Sequence, residues 1–209
     1  SIGQFEGMCG SPERFIQKEG NKLISQPIKG TIKRGKSEKE DEELKNILKA
    51  DPKEQSENVM IVDLVRNDLS KIATKGSVKV DELFGIYSFN TVHQMISTIS
   101  CEIEESCSFS EMLQATFPMG SMTGAPKISA MKLIESHEEF KRGLYSGSIG
   151  LITPEGDYDF NVVIRSLLYN SETKYLSCGV GGAITHQSVP EKEYEECEVK
   201  IGAIKNAIK

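Results

Sequence analysis

Two pairs of glutamates have a spacing that matters chemically. Glu54 and Glu57 lie three residues apart in a stretch patterned as a helix, and Glu193 and Glu196 repeat that spacing near the end of the chain. A three-residue step places side chains on one helical face. Four carboxylates from two helices can surround a hard cation that takes only oxygen ligands, and Mg²⁺ suits an open site shared with ligand oxygens. The same spacing also occurs on ordinary helix surfaces. Three further features bear on chemistry. Gly179-Val180-Gly181-Gly182-Ala183 lets backbone N–H groups approach an anion closely, or forms a plain turn at a strand end. Lys29, in Pro27-Ile28-Lys29-Gly30-Thr31, is a surface charge or, if desolvated, a nucleophile. Arg165 interrupts the apolar run Phe160 to Leu168, where a guanidinium needs an anionic partner. Either a structural Asp or Glu or a ligand carboxylate meets that need.

These residues must be held by short hairpins and a few helices. Arg14 to Ile16 and Leu23 to Ile28 pattern as strands around a Glu19-Gly20-Asn21 turn. Ser37 with Glu40, and Asp51-Pro52 with Glu54, mark two successive helix starts with capping-box spacing. A short strand is expected at Val78 to Val80. Paired strands are expected over Leu83 to Ile103, which is rich in β-branched and aromatic residues. Ser108 to Thr116 reads as an amphipathic helix, Phe117 to Thr123 as a loop, and the helix after Pro126 ends near Glu138. Strands follow at Leu144 to Thr153, Tyr158 to Tyr169 and Lys174 to Cys178. Ser188 is placed to cap the last helix, with Glu191 in box position. Hairpin-like runs separated by helices make an α+β pattern rather than regular βαβ alternation.

The 209 residues include 38% hydrophobic and 27% charged residues and carry a net charge of -6, with a sequence pI near 5.3. That is a globular composition, and its acidity argues against a nucleic-acid-binding surface. No apolar run is long enough to span a membrane. Five cysteines, an odd number with no Cys-x-x-Cys pair, point away from a disulfide framework or zinc site and towards a reducing cytoplasm. His137, His186 and the cysteines carry no catalytic pattern.

Taken in order, several segments resemble the chorismate-utilising enzymes. They are Ser11-Pro12-Glu13-Arg14-Phe15, Pro27 to Thr31 with Arg34-Gly35, Lys53 to Glu57, and Asp63-Leu64-Val65-Arg66-Asn67-Asp68-Leu69. Phe117 to Lys127, Arg142 to Gly147, Arg165, residues 181–183 and Glu193 to Lys200 continue the series. The resemblance spans essentially the whole chain. It implies two packed antiparallel sheets with flanking helices, in a single catalytic domain over residues 1–209 that lacks an N-terminal portion. It also implies a Mg²⁺ site at Glu54, Glu57, Glu193 and Glu196. One substrate carboxylate would be bound by the metal, and the other by Tyr145, Arg165 and the backbone of Gly181, Gly182 and Ala183. Lys200 and Ser121 would lie beside the substrate.

Within the family, lysine at position 29 is a mark of the aminodeoxychorismate-forming branch; the anthranilate-forming branch has alanine there. The resemblance then implies that Lys29 attacks the ring carbon next to the carboxylated one and expels the hydroxyl across the ring. Glu13 would protonate that leaving group. Ammonia, supplied by a glutaminase partner, would displace the lysine and give 4-amino-4-deoxychorismate. Gln94 stands where anthranilate synthases carry a histidine, and His93 cannot replace it because neighbours on a strand face opposite sides. The competing expectations are anthranilate formation, isochorismate or salicylate formation, and an inactive scaffold that only binds the glutaminase.

Overall fold

A computed structural model describes Ser1, residues 3–186 and residues 188–208. The elements run β1 (Phe5–Cys9), β2 (Arg14–Glu19), β3 (Lys22–Gln26), β4 (Ile28–Lys33), α1 (Glu38–Ala50) and α2 (Pro52–Ser70). They continue as β5 (Lys79–Ser88), β6 (Val92–Glu102), α3 (Phe109–Thr116), a 3-10 turn (Gly120–Met122) and α4 (Lys127–His137). The last are β7 (Ser148–Ile152), β8 (Tyr158–Val162), β9 (Ser166–Asn170), β10 (Tyr175–Ser177) and α5 (Pro190–Ala207). Helices and antiparallel strands divide the chain as the α+β pattern requires. Two units result: a larger one of Glu13–His137 with Gly150–Phe160, and a smaller one of Ser1–Pro12, Glu138–Ile149 and Asn161–Lys209.

The larger unit is organised around β6, which is buried along nearly its whole length. Its sheet has the order β4-β6-β3-β2-β8-β7, with β5 also on β6. Lys22 to Ser25 pair with Glu102 to Ile99, and Ile28 pairs with Ile96, so β3 and β4 follow each other along one edge of β6. β5 takes the opposite edge, pairing from Lys79↔Ser100 to Ser88↔His93. The strand expected at Val78 to Val80 is thus the start of a ten-residue strand. Ile16, Leu23, Leu69, Met95, Ile99 and Met112 are almost wholly shielded, each contributing about 1.5–3 kcal/mol by leaving water.

Asp51 joins the two long helices. It ends α1 by donating its N–H to Leu48 O at 3.3 Å, and starts α2 by accepting from the Lys53 and Glu54 amides. Because the Asp51 N–H is already occupied, Glu54 does not close the expected capping box, and its carboxylate is turned to β4 instead. Glu40 likewise bonds the amide of Lys36 rather than that of Ser37. The box at Ser108 and Glu111 is complete.

In the smaller unit β9 lies between β1 and β10. The single strand expected over Tyr158 to Tyr169 is two strands belonging to different sheets. The break falls at Val163 to Arg165, and Arg165 has a positive φ of 48°, well outside the extended region of regular strands. The strand expected from Leu144 begins only at Ser148, after a turn in which Ser146 has φ 68°. Ser188 does not cap α5. Its hydroxyl accepts from the Thr185 amide at 2.9 Å, and Val189 occupies the cap position. No helix among the described residues is long and apolar enough to cross a membrane.

Candidate active site

Lys29 owes its position to a β-bulge. The register of β4 against β6 shifts between Ile28 and Thr31, and within that shift Gly30 has φ +94°. An extra residue in one strand re-aims the side chains around it. Lys29 is 19% exposed, and its Nζ lies 3.7 Å from Glu57 Oε2. Gly30 is needed for space as well as for its φ. A Cβ there would stand 3.1 Å from Leu48 Cδ1, 3.2 Å from Glu54 Oε2 and 3.3 Å from Met95 Cβ. The Glu54 carboxylate is therefore laid against bare backbone. Its pKa is raised first by burial and then by the negative charges of Glu57 and Asp51, against smaller effects of Lys53 and Lys29.

Glu13, just before β2, is 6% exposed. Burial pushes its carboxyl up to about 7, against the opposing effects of the Ser121 hydroxyl, the Lys29 charge and a backbone hydrogen bond at Ile28. A carboxyl balanced near neutrality is suited to giving up a proton at working pH. Ser121, expected beside the substrate, is thus hydrogen-bonded to Glu13. Its 3-10 turn is fixed on α2, where a Cβ at Gly120 would lie 3.1 Å from Leu64 Cβ.

Sequence reasoning gave no role to the anchor of this loop. Lys127 Nζ pairs with the buried Asp68 of α2 and donates to Thr116 O at 3.1 Å. Lys71 Nζ joins Asp68 at 2.8 Å. Both ends of the Ser121 loop are thereby tied to one carboxylate. Both residues stood in segments that carried the resemblance, but pairing across 59 positions leaves no local signal.

His93 and Gln94 face opposite sides of β6, as strand geometry demands. His93 is fully buried, with Nε2 2.9 Å from Asp41 Oδ1 and Nδ1 2.9 Å from Ser88 Oγ. Asp41 also receives Arg34 and the Gly35 amide, and this holds its carboxyl well below the usual range. His93 is a satisfied core residue. Gln94 is 3% exposed, and its Oε1 has no partner among the described residues.

In the smaller unit the glycine loop is fitted between two groups. A Cβ at Gly179 would fall 2.3 Å from Tyr145 Cγ, and one at Gly181 would fall 3.1 Å from the Tyr145 hydroxyl oxygen. A Cβ at Gly182 would lie 3.1 Å from Glu193 Oε2 and 3.7 Å from Glu196 Oε1. Lys200 Nζ donates to Gly181 O at 2.8 Å and pairs with Glu196 at 2.5 Å. Tyr145, Gly181, Gly182, Glu193, Glu196 and Lys200 therefore form one cluster. Burial raises the pKa of the Tyr145 hydroxyl, with Arg142 opposing. Arg165 is half-buried, and its guanidinium has no partner among the described residues. Of the two partners open to it on sequence grounds, a structural carboxylate is not found among the described residues.

The chorismate-binding enzyme profile matches residues 1–206. This chain belongs to that family. It is 47% identical over 203 residues to the chloroplastic aminodeoxychorismate synthase of Arabidopsis thaliana, covering 96% of this chain and 22% of that protein. It is 39% identical over 205 residues to anthranilate synthase component 1 of Aquifex aeolicus, covering 98% of this chain and 41% of the other. The crystal structure of anthranilate synthase component I from Streptococcus pneumoniae superposes with a TM-score of 0.83 at 31% identity, over 95% of this chain and 43% of that one. The chain thus spans less than half the length of these relatives.

For a chorismate-binding enzyme the donor chemistry around the glutamates fits a hard divalent cation. The Glu54 carboxyl is laid against bare backbone at Gly30, with its proton affinity raised by burial and by the neighbouring negative charges of Glu57 and Asp51, and Glu193 and Glu196 sit against bare backbone at Gly182; carboxylate oxygens are the donors such a cation takes. The two pairs belong to different units, and no group of three or more His, Cys, Asp or Glu arranged for a metal is found among the described residues.

Proposed function

We propose that this chain carries the chorismate-aminating site of an aminodeoxychorismate synthase, converting chorismate and ammonia into 4-amino-4-deoxychorismate and water for para-aminobenzoate and folate synthesis. The observation carrying this reading is Lys29, set in the Gly30 bulge with the near-neutral carboxyl of Glu13 close enough to feel its charge. An amine nucleophile beside a buried acid can open an allylic alcohol: the amine forms the new bond to carbon while the acid protonates the departing hydroxyl. Ser121 and the Ile28 amide hold Glu13 in place for that transfer. Ammonia then attacks the carbon that lost the hydroxyl, and Lys29 departs. Arg165, half-buried and without a partner among the described residues, and the Tyr145–glycine-loop cluster bind a substrate carboxylate. Glu54, Glu57, Glu193 and Glu196 would hold Mg²⁺, which when bound offsets the charge of the other carboxylate. Ammonia would come from a glutaminase subunit. All five cysteines are free, in keeping with a reducing compartment such as the cytoplasm.

A second reading, anthranilate formation, draws on the Aquifex and pneumococcal relatives. Lys29 separates the two. Incubating the full-length protein with chorismate and Mg²⁺ in the absence of ammonia should modify Lys29 by the mass of chorismate less one water. Peptide mapping that finds Lys29 unmodified while chorismate is consumed would remove the nucleophilic role and favour the second reading.

A further inference from the structure

Glu57 holds two lysines without bonding either. Lys29 Nζ lies 3.7 Å from Oε2 and Lys53 Nζ 3.9 Å from Oε1, both beyond hydrogen-bond reach. No hydrogen bond to the Glu57 carboxylate is found among the described residues. The Glu57 side chain is only 15% exposed, so this is a sheltered carboxylate whose lone pairs are uncommitted. Lys29 is sheltered too, whereas Lys53 is 62% exposed. We propose that Lys29 and a divalent cation compete for Glu57, so that cation binding detaches the Lys29 ammonium from the carboxylate and releases it towards the substrate.

The inference rests on the reading of Glu57 as a metal-site residue, and its physical basis is charge and distance. A doubly charged ion at the usual Mg²⁺–oxygen distance of about 2.1 Å attracts a carboxylate oxygen roughly three to four times as strongly as a single charge at 3.7 Å. The same ion repels an ammonium left nearby. The bulge fixes the Lys29 backbone, but its four-carbon stem can swing. Lys29 is thereby parked on Glu57 as an ammonium until the cation that serves the substrate has arrived, and it acts as a nucleophile only after release and loss of its proton to solvent. Coupling between two sites is reciprocal, so a Lys29 displaced by the cation must itself weaken cation binding.

The test is a titration of the full-length protein with Mn²⁺, standing in for Mg²⁺, with free Mn²⁺ read by electron paramagnetic resonance. Wild type, Lys29→Gln, Lys53→Gln, Glu57→Gln and the Lys29→Gln/Glu57→Gln double variant are compared, with circular dichroism confirming the fold of each. Lys29→Gln should tighten Mn²⁺ binding by on the order of tenfold, the size of an ordinary coupling between sites. Lys53→Gln should do so by much less, because solvent screens an exposed charge. The gain from Lys29→Gln should disappear when Glu57 is also Gln. If Mn²⁺ binds and Glu57→Gln weakens it while Lys29→Gln leaves affinity unchanged or lower, the competition is refuted and the metal site stands. If Mn²⁺ binding is absent or indifferent to Glu57→Gln, the metal-site reading falls and takes the competition with it.

Discussion

Replacing Glu13 with Gln should make the protein more stable at alkaline pH and leave it nearly unchanged in acid. Burial lifts the Glu13 carboxyl from an ordinary value of 4.5 to about 7. Between those values the folded protein binds more protons than the unfolded chain, so stability falls as pH rises. The favourable contribution is complete below about 4.5 and is lost as pH passes through about 7. At 1.36 kcal/mol per unit, the cost of holding Glu13 ionised above neutrality is ~3 kcal/mol. Gln keeps the shape and remains neutral, so it escapes this cost. In a domain of 150–250 residues, ~3 kcal/mol corresponds to a rise in Tm of roughly 6–12 °C. Thermal denaturation of both proteins at intervals from pH 4.5 to 8.5 should give curves that coincide at the acid end and diverge to that extent above pH 7. Parallel curves across the whole range would mean that Glu13 is not desolvated, and the acid assigned to the leaving hydroxyl would lose its physical basis.

Other perturbations separate architecture from chemistry. Gly30→Ala places a side chain at φ +94° and within 3.1–3.3 Å of Leu48, Glu54 and Met95; it should cost about 1–3 kcal/mol by denaturant titration and reduce kcat through displaced Lys29 and Glu54. Arg165→Gln removes a guanidinium with no partner among the described residues, so Tm should hold within a few degrees while KM for chorismate rises about 10- to 100-fold, as steady-state kinetics would measure. His93→Ala removes hydrogen bonds to Asp41 and Ser88 from a fully buried site and should cost about 2–4 kcal/mol; chromatography should find the product unchanged.

Local rules foretold much of the fold. Ser37 and Asp51 cap their helices where the sequence placed the caps, because capping depends on neighbours within one turn, while Ser108, read as the first residue of its helix, is the cap of α3. The hairpin around Gly20 and the β5–β6 pair follow from alternation and β-branched residues. The sequence misled where backbone conformation departs from pattern. The run from Tyr158 to Tyr169 is rich in apolar and β-branched residues, but it breaks at Val163 to Arg165, where Arg165 has a positive φ, into strands of two sheets. Ser188 looked like a cap but is taken by Thr185.

The candidate site was legible as residue types and only partly as geometry. Glutamates three apart on a helix had to share a face, and His93 and Gln94 had to face apart. The bulge that carries Lys29 was hidden, because it is a register relation with β6 rather than a property of β4. The bond between Ser121 and Glu13, and the tie of Lys127 to Asp68, join residues remote in sequence. Periodicity has no access to such pairs.

The most direct test of the central claim is the identity of the product. Full-length protein would be incubated with chorismate, Mg²⁺ and ammonium, beside its Lys29→Ala variant, and the product read by mass and fluorescence. A non-aromatic amino product that retains the pyruvyl ether, and that is strongly reduced in the variant, is the predicted result. Fluorescent anthranilate released with pyruvate, formed equally well by the variant, would contradict the account.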